Sequence, residues 1–315
     1  MGYRVLITGS AGYLGSKVVG LLSARVGWEV YGIDVRVPNN SESYTGFIKG
    51  SVTAAAAMQD IFDSARPDIA IHLAFVVTST HDRKLEEAVD IEGTRNFLAN
   101  CDRLGVNKVI FMSSVAAYGA HDDNDMPLTE SSPIRGVKGY GYSWFKAATD
   151  NLAQEYMAAH PSCHFVLLRP CLFVGEHTDN NFFDVLKFPV VPQVSDHKGV
   201  RDPVFQFIHE DDMAQVVVAA IDKPVRGIFN IAAEGTAPFS ELVRCFRKRR
   251  VAIPNWILYP VTRLLWGLHL VSSPPAQLDF IRYPWIMDVS RMRRELYAPT
   301  KTTMEAFEEF ARTHS

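Results

Sequence analysis

Tyr142 and Lys146 stand four residues apart in "GYGYSWFKAATDNL" (139–152), the spacing that puts two side chains on one helix face. A phenol with a pKa of about 10 is a weak acid–base catalyst near neutrality. An ammonium beside it, and a positively charged nicotinamide ring, favour the phenolate and draw it toward the working range. Upstream, "IFMSSVAAYG" carries Ser113 and Ser114 after an apolar run. A serine hydroxyl at a strand's carboxyl end is placed to hold a substrate oxygen beside the tyrosine. The chemistry these residues fit is hydride transfer at a carbon bearing a hydroxyl or a ketone.

Such chemistry needs a bound hydride carrier. "LITGSAGYLGSKVV" (6–19) places Gly9, Gly12 and Gly15 directly after an apolar run and before a helical pattern. Glycines at a first strand-to-helix turn permit a tight turn and close backbone approach. The helix start then offers unpaired N–H groups and partial positive charge to phosphates. "YGID" ends in Asp34, an acid placed to accept hydrogen bonds from adenosine ribose hydroxyls and to repel a 2′-phosphate. That favours NAD over NADP, with Arg36 nearby as the one feature that suits NADP.

The elements that must position these residues are readable in outline. "YRVLITG", "EVYGID", "DIAIHLA", "KVIFMSS" and "CHFVLLRP" read as buried strands. They alternate with helical patterns at 13–25, in "AAAAMQDIFDSAR", at 84–104 and at 142–160. This alternation predicts an α/β fold with a Rossmann-type, doubly wound parallel sheet. From about 171 the alternation weakens and prolines multiply. It resumes in "FQFIHEDDMAQVVVAAI" and "GIFNIA", and 236–315 reads as mostly helical. The expected organisation is a cofactor lobe of 1–170, with 205–232 returning to it, and a smaller, mostly helical C-terminal substrate lobe of 171–204 and 233–315.

With 315 residues, 47% hydrophobic content and a net charge of −3, the chain is long enough for a sizeable core and lacks the basic field of a nucleic-acid binder. Four scattered cysteines without a Cys-x-x-Cys pair fit a reducing compartment. With a strand starting by residue 3 there is no room for a signal peptide, so the cytoplasm is the expected address. "HEDD" (209–212) reads as acids complementing a helix dipole, not as a metal site. "RKRR" (247–250) reads as a solvated helix end. "WILYPVTRLLWGLHLV" (256–271) is too short and interrupted to span a bilayer. It is expected to pack over a substrate pocket or a partner subunit; membrane contact is not expected.

Taken in order, these motifs resemble the extended short-chain dehydrogenase/reductase family, the NAD-dependent epimerase/dehydratase group. The match runs through Thr8-Gly9-x-x-Gly12-x-x-Gly15, Asp34, "HLA" (72–74), "GTRNFL" (93–98), "SSVAAYG" (113–119) and Tyr142-x-x-x-Lys146. It continues through "LLRPCLFVG" (167–175), "FIHEDDMA" (207–214) and "DVSRMRREL" (288–296), nearly the whole chain. The resemblance implies Tyr142 as acid/base, Lys146 as its partner and Ser114 as donor to the substrate oxygen. It implies Gly9, Gly12, Tyr13, Leu14 and Gly15 around the pyrophosphate, Asp34 at the ribose, and Ser51 and Val52 toward adenine. Leu73, Ala74 and Phe75 would line the cofactor path, and Pro170 to Leu172 the nicotinamide side. It also implies a homodimer paired through the 84–104 and 142–160 helices.

This sequence departs from that pattern in three places. Asp90 stands where an asparagine is frequent, and Ser51 where an aspartate contacts adenine. Phe205 stands where nucleotide-sugar members carry a diphosphate-binding arginine; Arg282 matches a second such position. The expected function is NAD-dependent oxidation or reduction of a small or lipophilic alcohol or ketone. The alternatives are a UDP-sugar 4-epimerase or dehydratase, and a non-catalytic NAD-sensing protein, for which Asp90 is the only support.

Overall fold

The computed structural model describes residues 2–178 and 180–314; Met1, Asp179 and Ser315, which include the outer ends of the expected lobes, lie outside it. β1 (Arg4–Thr8) leads through the glycine turn into α1 (Tyr13–Ser23), and β2 (Glu29–Asp34) and β3 (Gly46–Lys49) follow. Then come α2 (Ala55–Ala65), β4 (Ile69–His72), α3 (Arg83–Glu87) and α4 (Gly93–Leu104), with one π-helical turn, Ala88–Glu92, joining the last two into a continuous helix. β5 (Lys108–Met112), α5 (Gly141–Ala159), β6 (His164–Pro170) and the short β7 (Leu172–Val174) complete the first half.

These strands make a seven-stranded parallel sheet in the order β12-β6-β5-β4-β1-β2-β3, where β12 (Gly227–Ile231) comes from late in the chain. The Rossmann-type expectation holds. The inner strands β1, β4, β5 and β6 are buried on both faces, so they read as apolar runs without alternation. Side chains of β1 nevertheless split between two cores. Val5 and Ile7 pack under α1 with Val18 and Leu22, while Leu6 packs on the other face with Phe62 and Phe97. Burying each such aliphatic side chain stabilises the fold by roughly 1.5–3 kcal/mol.

Between β6 and β12 lie β8 (Val190–Asp196), β9 (Gly199–Val200), β10 (Val204–Phe205), β11 (Phe207–His209) and α6 (Glu210–Asp222). β11 pairs in parallel with β7, and α6 lies beside α1, joined by Lys17 to Asp211 at 2.8 Å. Glu210, Asp211 and Asp212 occupy the first turn of α6, as the dipole reading expected. After β12 come β13 (Ala237–Pro238), α7 (Phe239–Cys245), β14 (Arg249–Pro254), α8 (Asn255–Gly267) and α9 (Thr303–His314).

One local expectation gives way. β14 runs parallel to β8, in a small sheet ordered β14-β8-β9, so the mostly helical 236–315 also contributes a strand. "RKRR" accordingly spans a turn, with Arg247 at φ 55°, and the start of a strand, not the end of a helix. Exposed arginines flanked by Val251, Ala252 and Ile253 leave β-forming residues to decide the pairing.

Candidate active site

The sheet reverses its order at β1, which pairs with β2 on one side and β4 on the other. A crevice opens at that switch point, beyond the carboxyl ends of the strands. Every site residue expected from the sequence lies on this edge or beside it. Gly9 follows β1, Asp34 ends β2, Ser51 and Val52 follow β3, and Leu73 to Phe75 follow β4. Ser113 and Ser114 follow β5, Pro170 ends β6 with Leu172 just after it, and Tyr142 and Lys146 lie on α5.

The glycine turn is shaped by close backbone approach. Gly9 has φ +69°, and a Cβ there would lie 2.7 Å from the Ala74 nitrogen. A Cβ on Gly15 would lie 2.2 Å from the Gly9 carbonyl oxygen, so only hydrogen fits. Gly12 begins α1 and no side chain caps the helix. The first-turn N–H groups of Tyr13, Leu14 and Gly15 therefore have no intrahelical acceptor. Asp34 Oδ2 accepts from the Ala11 N–H at 3.0 Å and Oδ1 from the Arg36 N–H at 2.9 Å, which fixes the carboxylate beside the turn. A carboxylate has further lone pairs for a ribose diol. These residues fit a dinucleotide. Ser51 Oγ bonds Thr53 and Val52 packs against Gly93, so the adenine end has no carboxylate there.

At the opposite end of the crevice, the Ser114 hydroxyl faces the Tyr142 phenol and favours its ionised form, and Ser114 Oγ accepts from the Ala116 N–H at 3.1 Å. Burial pushes the Tyr142 phenol up to about 12; Ser114 works against that shift and the Asp90 charge adds to it. Lys146 Nζ donates to the Met112 carbonyl at 2.9 Å and lies 3.6 Å from the centre of the Phe75 ring. Phe75 meets the Tyr142 ring edge-on at 5.7 Å, so one aromatic side chain touches both members of the pair. Burial lowers the Lys146 pKa and raises that of Asp90; the attraction between the two charges opposes both shifts. Asp90 Oδ1 accepts from the Val76 N–H at 2.8 Å, and its buried Oδ2 has no hydrogen-bond partner among the described residues.

Beneath this pair lies a network that sequence reasoning missed. Asp150, one turn below Lys146 on α5, accepts from Ser113 Oγ at 2.5 Å. It also accepts from Arg169 Nε at 2.8 Å and Nη2 at 2.7 Å. Asp150 and Arg169 are both buried, and such a bidentate pair in a dry interior is geometrically demanding. Its only sequence signal was an arginine inside an otherwise apolar strand.

The substrate side differs from a diphosphate-gripping site at both positions of interest. Phe205 is fully buried among Phe182, Phe207, Phe239 and Trp285, and faces no cleft. Arg282 Nη2 donates to Asp196 Oδ2 at 2.8 Å, and Arg201 Nε donates to the same oxygen at 2.9 Å. Burial alone would raise the Asp196 carboxyl, but these two guanidinium groups hold it well below the usual carboxylate range. The Arg282 charge is thus already matched inside the protein. Among the described residues there is no cluster able to hold a metal ion, and no helix long and apolar enough to cross a membrane.

The model of the NAD dependent epimerase/dehydratase family matches residues 5–232. A UDP-glucose 4-epimerase of Erwinia amylovora is 29% identical over 285 residues, covering 78% of this chain and 82% of that protein. An uncharacterized protein of Mycobacterium tuberculosis, Rv0501, is 24% identical over 322 residues, covering 98% of this chain and 83% of its own. The solved UDP-glucose 4-epimerase of Thermus thermophilus, in complex with NAD, superposes with a TM-score of 0.74 at 21% identity. It covers 99% of this chain and 98% of that one, a likeness of fold.

Proposed function

The chain belongs to the NAD dependent epimerase/dehydratase family, which makes it an NAD-using enzyme, and from that premise we propose that it oxidises or reduces a small or lipophilic secondary alcohol or ketone with Tyr142 as acid/base. The observation that carries this reading is the Ser114–Tyr142–Lys146 grouping, on the same carboxyl edge of the sheet as the glycine turn and two strands away from it. NAD, when bound, supplies the hydride acceptor or donor and a positive ring in its oxidised form. The protein's part is to place and to protonate. The helix start at Tyr13–Gly15 would hold the pyrophosphate and Asp34 the ribose hydroxyls. Ser114 would donate to the substrate oxygen, and Tyr142 would give that oxygen a proton during reduction or take one during oxidation. Lys146 would support the phenolate form by its charge and hold the nicotinamide ribose. We place 171–204 and 233–315 on the substrate side of the cleft.

The second reading is a UDP-sugar 4-epimerase or dehydratase, supported by the name of the Erwinia amylovora relative. The burial of Phe205 and the internal pairing of Arg282 speak for the first. Asp90 alone speaks for a non-catalytic NAD-sensing protein. We also place pairing with a second copy on the α3–α4 and α5 helices, where Leu85 and Trp144 are exposed, and the protein in the cytoplasm.

Calorimetry with UDP-glucose, together with a screen of lipophilic alcohols for NADH formation, tests the reading. NADH formation from an alcohol and no heat with UDP-glucose supports it. Binding of UDP-glucose without net NADH formation transfers the assignment to the second reading.

A further inference from the structure

α8 is mostly apolar, with Asn255, Thr262 and Arg263 as its polar residues, yet it is buried on one side only. Leu258 packs inward, and the Trp266 ring stacks on His81 with centroids 3.8 Å apart. This inner side helps line a cleft with Thr80, Arg83, Gly139, Gly141 and Pro274, next to the start of α5. The outer side carries Trp256 at 73% exposure, Val261 at 46%, Leu264 at 63% and Leu268 at 58%, followed by Leu270 at 68%. An ordinary surface helix turns polar residues outward; this one turns a second apolar stripe.

The charge around that stripe is equally lopsided. Residues 246–278 hold Arg247, Lys248, Arg249, Arg250 and Arg263 and not one aspartate or glutamate. That segment carries +5 in a chain of net −3, so the other residues carry −8. Among the described residues no carboxylate pairs with Arg247, Lys248, Arg249 or Arg263. Arg250 bonds only the side-chain oxygen of Gln193, at 3.3 Å. The edge strand β14 feeds these cations directly into α8, and its Val251, with Val190 on β8, extends the exposed apolar surface.

We propose that α8 and β14 form a docking face for an anionic phospholipid bilayer. The outer stripe of α8 would be seated in the headgroup region and the cations would lie on the phosphates. A helix with exposed Trp and Leu and one arginine, led by a strand and turn that carry four more cations, has the composition of an interfacial element. This departs from the sequence-based expectation, which assigned the stretch to a pocket or a partner subunit. The inner side does cover the cleft; the outer side is the surplus. A second copy of the chain fits less well, because a two-fold interface would press two +5 segments together. Nucleic acid would leave the Trp256 and Leu264 stripe in water. The docking holds whichever substrate the cleft takes.

The test is co-sedimentation of the full chain with large vesicles, of phosphatidylcholine alone or of an equimolar phosphatidylcholine–phosphatidylglycerol mixture. We expect partition to the anionic vesicles to be at least about tenfold stronger, and to weaken as salt is raised. W256S/L264S should abolish it with the melting temperature unchanged, since both side chains are exposed. R249A/R250A should remove most of the preference for the anionic vesicles. Equal, negligible sedimentation of the folded wild type with both vesicles overturns the proposal. So does light scattering in which W256S/L264S halves the particle mass without any vesicle binding, because the face then belongs to a second copy.

Discussion

Asp90 and Lys146 influence each other across the site without a hydrogen bond between them: the carboxylate strengthens the hold of Lys146 on its proton, and the ammonium weakens that of Asp90. The same carboxylate also raises the Tyr142 phenol. Removing an anion lowers the pKa of each proton-binding neighbour. Asp90→Asn, which keeps an acceptor for the Val76 N–H, should therefore move the whole pH–rate profile toward acid, by on the order of one pH unit. An unmoved profile would show that Asp90 takes no part in the proton balance.

Tyr142→Phe removes the proton-carrying hydroxyl and little else, because the ring still meets Phe75. Turnover should fall by roughly 10²–10⁴-fold. Titration of NADH fluorescence should show cofactor binding retained. Loss of binding along with turnover would mean that the residue supports the fold of the cleft and not the chemistry.

Asp34→Ala deletes the acceptor at the end of β2. A hydrogen bond to a charged group is worth about 1.5–3 kcal/mol, so the KM for NAD should rise about tenfold or more. The preference for NAD over NADP should narrow, because the repulsion of a 2′-phosphate is gone. Steady-state kinetics with both cofactors reads the two effects separately.

Phe205→Arg puts into this chain the residue type that the nucleotide-sugar reading would require. The site of insertion is a closed aromatic cluster. An unpaired guanidinium there should destabilise the fold by about 3 kcal/mol or more, measured by urea unfolding, and UDP-glucose should still give no heat. A folded variant that gains UDP-glucose binding would show that the position lines the cleft.

His72 ends β4, bonding Thr8 Oγ1 at 2.7 Å and Thr94 Oγ1 at 3.2 Å, and burial depresses its pKa to about 3. An unfolded histidine titrates at about 6.5, so between these values the unfolded state binds the extra proton. Stability from this residue is full above about 6.5 and is lost as pH falls toward 3, by about 1.4 kcal/mol per pH unit. Urea unfolding at pH 7 and pH 5 should show a shallower decline for His72→Gln than for the wild type.

The parts of the fold that could be read in advance are those where local pattern and burial agree. β2 was predicted over Glu29–Asp34 and found there, and α5 was placed within one residue at each end. Site residues at strand ends were readable for the same reason, since a strand's end is also where its apolar run stops. β3 escaped because Gly46–Lys49 is four residues long and begins with glycine. β14 escaped because its strand character depends on β8, some sixty residues earlier in the chain. Arg282 matched a second diphosphate-binding position in the sequence, but its neutralisation by Asp196 belongs to the tertiary structure alone, across 86 positions of sequence.

The buried Arg169–Asp150 pair has a mechanical meaning. It ties α5 to β6, and Ser113 ties the same carboxylate to the end of β5. Sliding α5 by even part of a turn would strip two hydrogen bonds from a guanidinium with no water to replace them. The helix carrying Tyr142 and Lys146 is thus the anvil of the cleft. On the function proposed above, widening that admits substrate would come from the opposite wall, where α8 is held by the buried Leu258, the Tyr259–Asp279 bond and the stack of Trp266 on His81. On that reading the timing of entry and release would belong to the α8 wall, and the accuracy of proton transfer to the fixed one.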